Sequence, residues 1–359
     1  MNDLVTTDSH IRSTRTIPCW RSDNWLPDHS TNDWAIFRRG RVKSYSGVAE
    51  VLQTLKSWQP MQAILVASPD ASRFRPPVSF PELAPILVKN YRRQAIIGAS
   101  LFVALAAFLL FLFLSTRSFF SGGILAIGLM MLAAFANDAF GSLGQPRGLT
   151  ERSQFFFWIQ TSRPAKGGLV FWLTFAFLIG TVQLVLQNEL GGRDRLLDTY
   201  GAVYAHVRSG EYWRVLIGPL FHSGLPHFSI NVLLLLVVGP ITWAVLGPVS
   251  ALAFFIGNAV GMLAQMFFGD GRFDSFLGIS PGVFSLLGLL VASATINRSL
   301  WPQGFALLCA WSAAISIFAA DLLSNRAATT AHIAGIIAGA TAAFICAAGA
   351  KLVSSRQHR

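Results

Sequence analysis

The stretch "DGRFDSFLGISPGVFSLLGLLVASATI", residues 270–296, changes from charged to apolar at Phe276 and then stays apolar. An apolar run of about 20 residues can cross the roughly 30 Å hydrocarbon core of a bilayer as a helix. Ser280 lies near the start of this run and is followed by Pro281 and Gly282. The stretch therefore predicts a membrane helix that carries a hydroxyl group just below a charged edge.

The whole chain has the composition of a membrane protein. Of its 359 residues, 53% are hydrophobic and only 13% are charged, whereas soluble domains are about 25% charged. Its three cysteines predict no disulfide framework. Eight apolar runs of spanning length cover residues 94–115, 119–139, 168–187, 225–246, 248–269, 277–296, 301–319 and 330–350. No cleaved signal peptide is expected, because the first run begins only after 93 mostly polar residues.

The distribution of lysine and arginine predicts the orientation in the membrane. With a cytoplasmic N-terminus, 21 of the 28 Lys and Arg residues lie in inside segments, and Arg92 and Arg93 adjoin the first run. Both termini are therefore predicted to be cytoplasmic. The net charge of +11 then indicates attraction to an anionic inner leaflet. Nucleic acid is not expected as a partner, because the basic residues form no stripe interleaved with aromatic residues, and only the first 93 residues leave it open as a minor alternative.

The first 93 residues are predicted to form a cytosolic region without a readable function. A polar start, disordered to about residue 30, precedes a small α+β unit. "DWAIFRR" (33–39) and "MQAILVAS" (61–68) have the composition of strands, and "GVAEVLQTLKSW" (47–58) has the pattern of an amphipathic helix. No catalytic or metal-binding signature occurs in this region.

Three of the predicted spans have polar side chains near their starts, at a similar depth in the bilayer. Ser280 lies six residues after Asp274 and His332 lies six residues after Arg326, which is about 9 Å in each case if the residues are helical. The span at 225–246 starts beside His222, His227 and Asn231. The last two are four residues apart, so a helix presents them on one face. Three helices would thus bring a hydroxyl, imidazoles and an amide to one level of the bilayer.

Small residues would let these helices approach each other closely. His332, Gly335 and Gly339 share one helix face, and Gly278 and Gly282 are four residues apart near the serine. Faces of small residues allow close contact between membrane helices. The serine and the histidine can then form a hydrogen bond, which predicts a serine nucleophile activated by a histidine base beside donors for an oxyanion.

Four motifs resemble the signature elements of the rhomboid intramembrane serine proteases, in the family's order. They are "GEYWR" (210–214), "LFHSGLPHFSIN" (220–231), "LGISPGVFSLLG" (277–288) and "AHIAGIIAG" (331–339). The resemblance covers about residues 168–350 and implies an all-α polytopic membrane protein with a six-helix rhomboid core. The predicted parts are a cytosolic N-terminal α+β or partly disordered region (1–93), two additional transmembrane helices (94–140), a cytosolic linker (141–167), the catalytic core (168–350) and a cytosolic tail (351–359).

The resemblance also implies roles for individual residues. Ser280 is the expected nucleophile and His332 its base, while His227 and Asn231 are expected to line the oxyanion hole. The supporting motif residues are His222, Gly278, Gly282, Gly335, Gly339, and Trp213 with Arg214 in a membrane-embedded loop. The implied activity is cleavage of transmembrane segments of other membrane proteins in the bilayer, without a cofactor or metal.

One departure from the family pattern supports an alternative. Many active relatives have glycine where this chain has Pro281, so a catalytically inactive rhomboid-like protein that binds or escorts membrane clients is the second hypothesis. Taken singly, Ser280 could be a helix N-cap and the glycines near His332 could serve close packing. Trp158, Trp172, Trp243 and Trp301 are expected to be anchors at the membrane interface.

Other chemistries are less consistent with the sequence. There is no HExxH pair for a metalloprotease, and no two carboxylates lie deep in the core spans for an aspartyl protease. A transporter would show broken helices with polar groups near the midplane. The sequence therefore predicts a multi-pass protein with its site toward the outer face, first in a bacterial plasma membrane and second in a mitochondrial inner membrane. It predicts neither the substrate nor the oligomeric state.

Overall fold

The computed structural model describes residues 19–22, 26–29, 32–116, 132, 136, 145–269, 271, 273–323 and 328–357. Within these ranges the protein is mainly helical, with a small sheet near the N-terminus. The predicted span 119–139 lies outside the described residues, apart from two single positions.

The N-terminal unit is a three-stranded antiparallel sheet with one helix. Strands β1 (Trp34–Arg38), β2 (Arg41–Tyr45) and β3 (Ile64–Ala67) pair in the order β2-β1-β3, and α1 (Val48–Thr54) follows β2. The strands predicted at 33–39 and 61–68 and the helix predicted at 47–58 are confirmed. The sequence analysis missed β2 because most of its side chains are exposed, so it has no buried apolar face to reveal it.

The prediction of disorder to about residue 30 was wrong for residues 19–22 and 26–29. Cys19–Arg21 form a short 3-10 helix, and Trp20 is buried against Phe155 with the two rings 5.4 Å apart. Polar composition indicates disorder only when no distant apolar surface is available to a segment. Here such a surface exists, and it is built from later parts of the chain.

Eleven helices are described after α1. They are α2 (Ala84–Thr116), α3 (Pro146–Thr161), α4 (Arg163–Glu189), α5 (Arg193–Tyr200), α6 (Tyr204–Arg208), α7 (Arg214–Ile217), α8 (Leu225–Leu246), α9 (Val249–Phe268), α10 (Ser280–Ile296), α11 (Phe305–Leu323) and α12 (Thr329–Gln357). Among the described residues, α2, α4, α8, α9 and α12 are long and apolar enough to cross a membrane. Most of the predicted linker 141–167 is helical, because α3 lies within it.

Helix α10 begins at Ser280, three residues after the start of its apolar run. The preceding Phe276 belongs to β5 (Ser275–Phe276), which pairs with β4 (Ala202–Val203), and Gly278 has a φ of 101°. Left-handed backbone of this kind favours glycine and interrupts a helix. The depth estimated for Ser280 from a helical segment was therefore wrong, because that segment is extended.

Helix α10 lies at the centre of the membrane domain, and fourteen of its residues are buried. On α12, Gly335 and Gly339 pack against the backbone of Pro281 and Ser285, as their spacing predicted. The small residues predicted near the serine allow a close helix contact at Gly282, whereas Gly278 does not share its helix face. Gly282 faces Phe254 of α9, and Gly278 lies outside the helix.

Three of the four tryptophans predicted to be interface anchors are buried in the protein interior. Trp158, Trp172 and Trp301 have almost no exposed surface, and only Trp243 is half-buried, stacked on Phe171. Large aromatic side chains bury more area than any other type when a packed interior is available. The anchor prediction failed because sequence position does not distinguish a lipid-facing ring from one that faces the protein.

Candidate active site

Ser280 and His332 meet at the starts of two neighbouring helices. Ser280 is the first residue of α10, and His332 lies in the first turn of α12. The Oγ of Ser280 and the Nε2 of His332 are 2.9 Å apart, and the two residues are only 9% and 8% exposed. The hydroxyl does not cap its helix, since the N-cap residue is Ile279 and has no side-chain capping bond. The N-cap explanation of Ser280 therefore does not hold.

Phe284 holds the imidazole of His332 from one side. The two rings are stacked, with centroids 4.4 Å apart and planes inclined by 26°. Phe284 lies four residues after Ser280, so the same face of α10 carries the hydroxyl and the ring. The Nδ1 of His332 has no hydrogen-bond partner among the described residues. Ring stacking thus orients the imidazole of His332, which has no carboxylate partner among the described residues. The sequence analysis missed Phe284, although its spacing from Ser280 was a usable signal.

Two buried amides of α9 support this pair. The Oδ1 of Asn258 accepts a hydrogen bond from the Gly282 N–H at 3.3 Å, and the Oε1 of Gln265 accepts one from the Ala331 N–H at 3.3 Å. Each amide therefore binds a free backbone donor in the first turn of α10 or α12. Both residues were missed. Their spacing of seven residues in an apolar run places them on one helix face and could have identified them.

His227 and Asn231 of α8 lie against Gly278. A Cβ added to Gly278 would come within 2.6 Å of His227 Cε1 and 3.4 Å of Asn231 Nδ2. The Gly278 N–H donates to the Phe221 carbonyl at 2.7 Å, which fixes this approach. Asn231 is 3% exposed, and its Nδ2 has no hydrogen-bond partner among the described residues. A buried donor without an acceptor among the described residues therefore lies beside Gly278, which is two residues before Ser280 in the chain.

His222 is fully buried next to His227. Its backbone N–H and carbonyl both bind the side chain of Gln183, at 3.0 and 2.9 Å, and its ring lies 5.2 Å from that of His227. Burial, with a smaller contribution from His227, lowers the pKa of His222 to about 3. The ring is therefore neutral at physiological pH. Gln183 was missed by the sequence analysis.

Arg214 supports the site from a distance. Its buried guanidinium donates to the Gly201 carbonyl at 2.8 Å, the Asp198 carbonyl at 3.0 Å and the Glu211 carboxylate at 2.7 Å. Its hydrogen bond to Glu211 lowers the pKa of that carboxyl. Trp213 is partly exposed, with the guanidinium 4.8 Å from its ring centroid. Gly201 precedes β4, and β4 pairs with β5 just before Gly278. Arg214 thus fixes the segment before β4, and the pairing of β4 with β5 connects this segment to the residues that lead to Ser280.

The arrangement has the components of acyl transfer. A hydroxyl is hydrogen-bonded to an imidazole, and the Asn231 amide nearby has a donor without an acceptor among the described residues. Among the described residues no group of three His, Cys, Asp or Glu side chains could hold a metal ion.

Comparison with known proteins agrees with these features. Residues 209–349 match the model of the Rhomboid domain. The chain is also 22% identical over 149 residues to the "Putative rhomboid protease YdcA" of Bacillus subtilis (strain 168), an alignment that covers 42% of this chain and 74% of that protein. The matched domain contains all four motifs, with Ser280, His332, His227 and Asn231. Residues 209–349 of the chain therefore contain a rhomboid domain.

Proposed function

We propose that the protein is an intramembrane serine endopeptidase that cleaves transmembrane segments of other membrane proteins. The observation that carries the proposal is the buried contact of 2.9 Å between Ser280 Oγ and His332 Nε2. The pair lies at the ends of two membrane helices whose glycine packing leaves little freedom to separate. The match of residues 209–349 to the Rhomboid domain supports the same class of activity.

In the proposed acylation step, Ser280 Oγ forms a bond to the scissile carbonyl carbon. Its proton passes to His332 Nε2, and the histidine delivers this proton to the leaving nitrogen as the C–N bond breaks. The Nε2 can accept a proton only if the neutral ring carries its own proton on Nδ1. Water then attacks the acyl ester, its proton passes to Nε2 and returns to Oγ, and the acid product leaves.

The developing oxyanion would be stabilised by Asn231 Nδ2, His227 and the backbone N–H of Ser280. The buried Nδ2 has no acceptor among the described residues, which supports a role that begins only when a substrate oxygen arrives. Pro281 contributes no N–H group. Proline is nevertheless well suited to the first turn of a helix, so the other donors keep their positions.

The proposed substrates are transmembrane helices that unwind locally at the site. A membrane helix satisfies its peptide groups internally, so a scissile bond must first leave the helix. The same proposal places the protein in a bacterial plasma membrane. Both termini are then cytoplasmic, and the site lies toward the outer face. Residues 94–140 would orient the core or hold partners. No nucleic acid is involved.

A client-binding protein without catalysis is the second candidate. Pro281 favours it, because it departs from the glycine that many active relatives have after the serine, and it is buried between Gly261 of α9 and Gly335 of α12. The presence of both Ser280 and His332 in hydrogen-bond contact favours the enzyme.

The test uses the purified full chain with a fluorophosphonate probe and a model transmembrane substrate. We expect probe labelling and cleavage by the unmodified protein and loss of both in Ser280→Ala. Ser285→Ala is the matched control, because this hydroxyl lies on the same helix but donates to the Ala253 carbonyl at 2.7 Å. A folded, monodisperse chain that neither reacts with the probe nor cleaves the substrate would favour client binding.

A further inference from the structure

The side chains of Trp20 and Arg21 bind the turn that follows helix α10, the helix that begins with Ser280. The Trp20 Nε1–H donates to the Leu300 carbonyl at 2.8 Å. Arg21 donates to the two flanking carbonyls, from Nε to Ser299 at 2.9 Å and from Nη2 to Trp301 at 2.9 Å. Three consecutive carbonyls between α10 and α11 are therefore bound by side chains from the start of the chain.

Glu151 of α3 closes this arrangement. Its carboxylate pairs with the Arg21 guanidinium at 2.8 and 3.2 Å, and it accepts the Gln303 N–H at 2.9 Å. Helix α3 also contacts the N-terminal sheet, because Phe157 packs against Phe37. The turn before α11 is thus tied to the N-terminal unit. We call Trp20, Arg21 and Glu151, with the turn 299–301, the latch.

An aromatic cluster under the latch fixes the beginning of α11. Trp301 stacks on Phe305 with centroids 5.0 Å apart, and Phe155 contacts both rings. The Trp301 Nε1–H also donates to the Ser293 hydroxyl at 2.9 Å, which joins the turn to the end of α10. The latch therefore contacts the turn that joins the end of α10 to the start of α11.

Helix α11 covers one flank of α10 through a single stripe. Phe305, Cys309 and Ala313 are buried at intervals of four residues, whereas Leu307 and Trp311 are half exposed. The short connection makes α11 run antiparallel to α10, so it returns toward the level of Ser280. Release of the latched end would let α11 move away from α10 and would uncover that flank.

We infer that the latch holds α11 against α10 and so limits the access of a transmembrane substrate to Ser280. The inference that substrate access is limited rests on the proposed function. Displacement of Arg21 removes donors from the Ser299 and Trp301 carbonyls and removes the closest ion pair of Glu151. Movement of the N-terminal unit would then be transmitted to the membrane domain. The cytosolic region, for which sequence analysis finds no function, becomes a regulator of the site.

The test measures the reaction of Cys309 with N-ethylmaleimide in lipid vesicles, in a Cys19→Ser/Cys346→Ser background. Arg21→Ala and Glu151→Gln each weaken the latch, because each substitution alters one partner of the Arg21–Glu151 ion pair. Arg147→Ala is the matched control, because Arg147 is 84% exposed and approaches Glu151 at only 3.7 Å. We expect labelling about 10-fold faster in both latch variants, the change that about 1.4 kcal/mol of lost hydrogen bonding gives, and no change in the control.

Cleavage of a transmembrane substrate is measured in the same preparations. Faster labelling together with altered cleavage supports the inference, with the monodispersity of each variant excluding misfolding. Equal labelling in latch and control variants overturns it, as does faster labelling with unchanged cleavage. If even the unmodified chain cleaves nothing, the proposed activity fails. The labelling rates then still decide whether the latch holds α11.

Discussion

The two ends of helix α10 differ in whether the polar groups near them have hydrogen-bond partners among the described residues. At the end toward residue 296, Trp20, Arg21 and Glu151 bind the carbonyls and the N–H of the following turn. At the end that begins with Ser280, Asn231 Nδ2 and His332 Nδ1 are buried without partners among the described residues. A buried polar atom without a partner destabilises a fold by about 1 to 3 kcal/mol. One end thus contributes stability, and the other has the unpartnered polar atoms that the proposed reaction would use.

The largest effect is expected from His332→Ala. Loss of Nε2 removes the only group bonded to the Ser280 hydroxyl in the described structure, so the cleavage rate should fall by about 10³-fold. Steady-state cleavage of a transmembrane substrate in detergent measures it, with His206→Ala, at a half-buried position of helix α6, as the control. Unchanged cleavage would end the proposal of a serine–histidine pair.

The next prediction compares two asparagines. Asn231→Ala should lower kcat by about 10²-fold with little change in KM, because its donor would act on the oxyanion alone. Its thermal stability should stay near that of the unmodified chain, since no described bond is lost. Asn258→Ala should instead lower stability, because it leaves the Gly282 N–H without its acceptor. A large loss of stability in Asn231→Ala would contradict the contrast between the two ends.

The third prediction concerns stability against pH near the Ser280 end. Burial lowers the pKa of His222 from 6.5 to about 3 in the folded chain. The unfolded chain therefore binds more protons below pH 6.5, and stability falls as the pH decreases toward 3. At pH 4.5 the loss is roughly 2 to 3 kcal/mol. Thermal unfolding at pH 7 and 4.5 measures it, and His222→Phe should flatten the dependence. Equal slopes for the variant and the unmodified chain would contradict it.

The smallest effect is expected at the other end of α10. Glu151→Gln weakens a pair with Arg21 that is only partly exposed, so the unfolding free energy should fall by about 1 kcal/mol. Arg147→Ala removes an exposed contact with the same carboxylate and should change stability by less than about 0.5 kcal/mol. Thermal unfolding of the two variants side by side provides the measurement. A larger effect in Arg147→Ala would contradict the assignment of Arg21 as the main partner.

Much of the site could be predicted from the sequence because its motifs are local. Spacing of i and i+4 places His227 and Asn231 on one face, and the glycines after His332 indicate a close helix contact. Phe284, Gln265 and Asn258 were missed, because a phenylalanine or an amide in an apolar run has many possible neighbours. Only the packed helices show which neighbour each one meets.

The sequence by itself determined the membrane setting, the helical class, most span positions and the motifs of the rhomboid domain. These follow from apolar run length and short-range spacing, which depend on the chain alone. The tertiary structure decided that Ser280 begins its helix after an extended segment, that Trp172 and Trp301 are buried, and that Trp20 and Arg21 bind a turn about 280 residues away. These features depend on which surfaces meet when distant segments pack, and no local pattern records such a meeting.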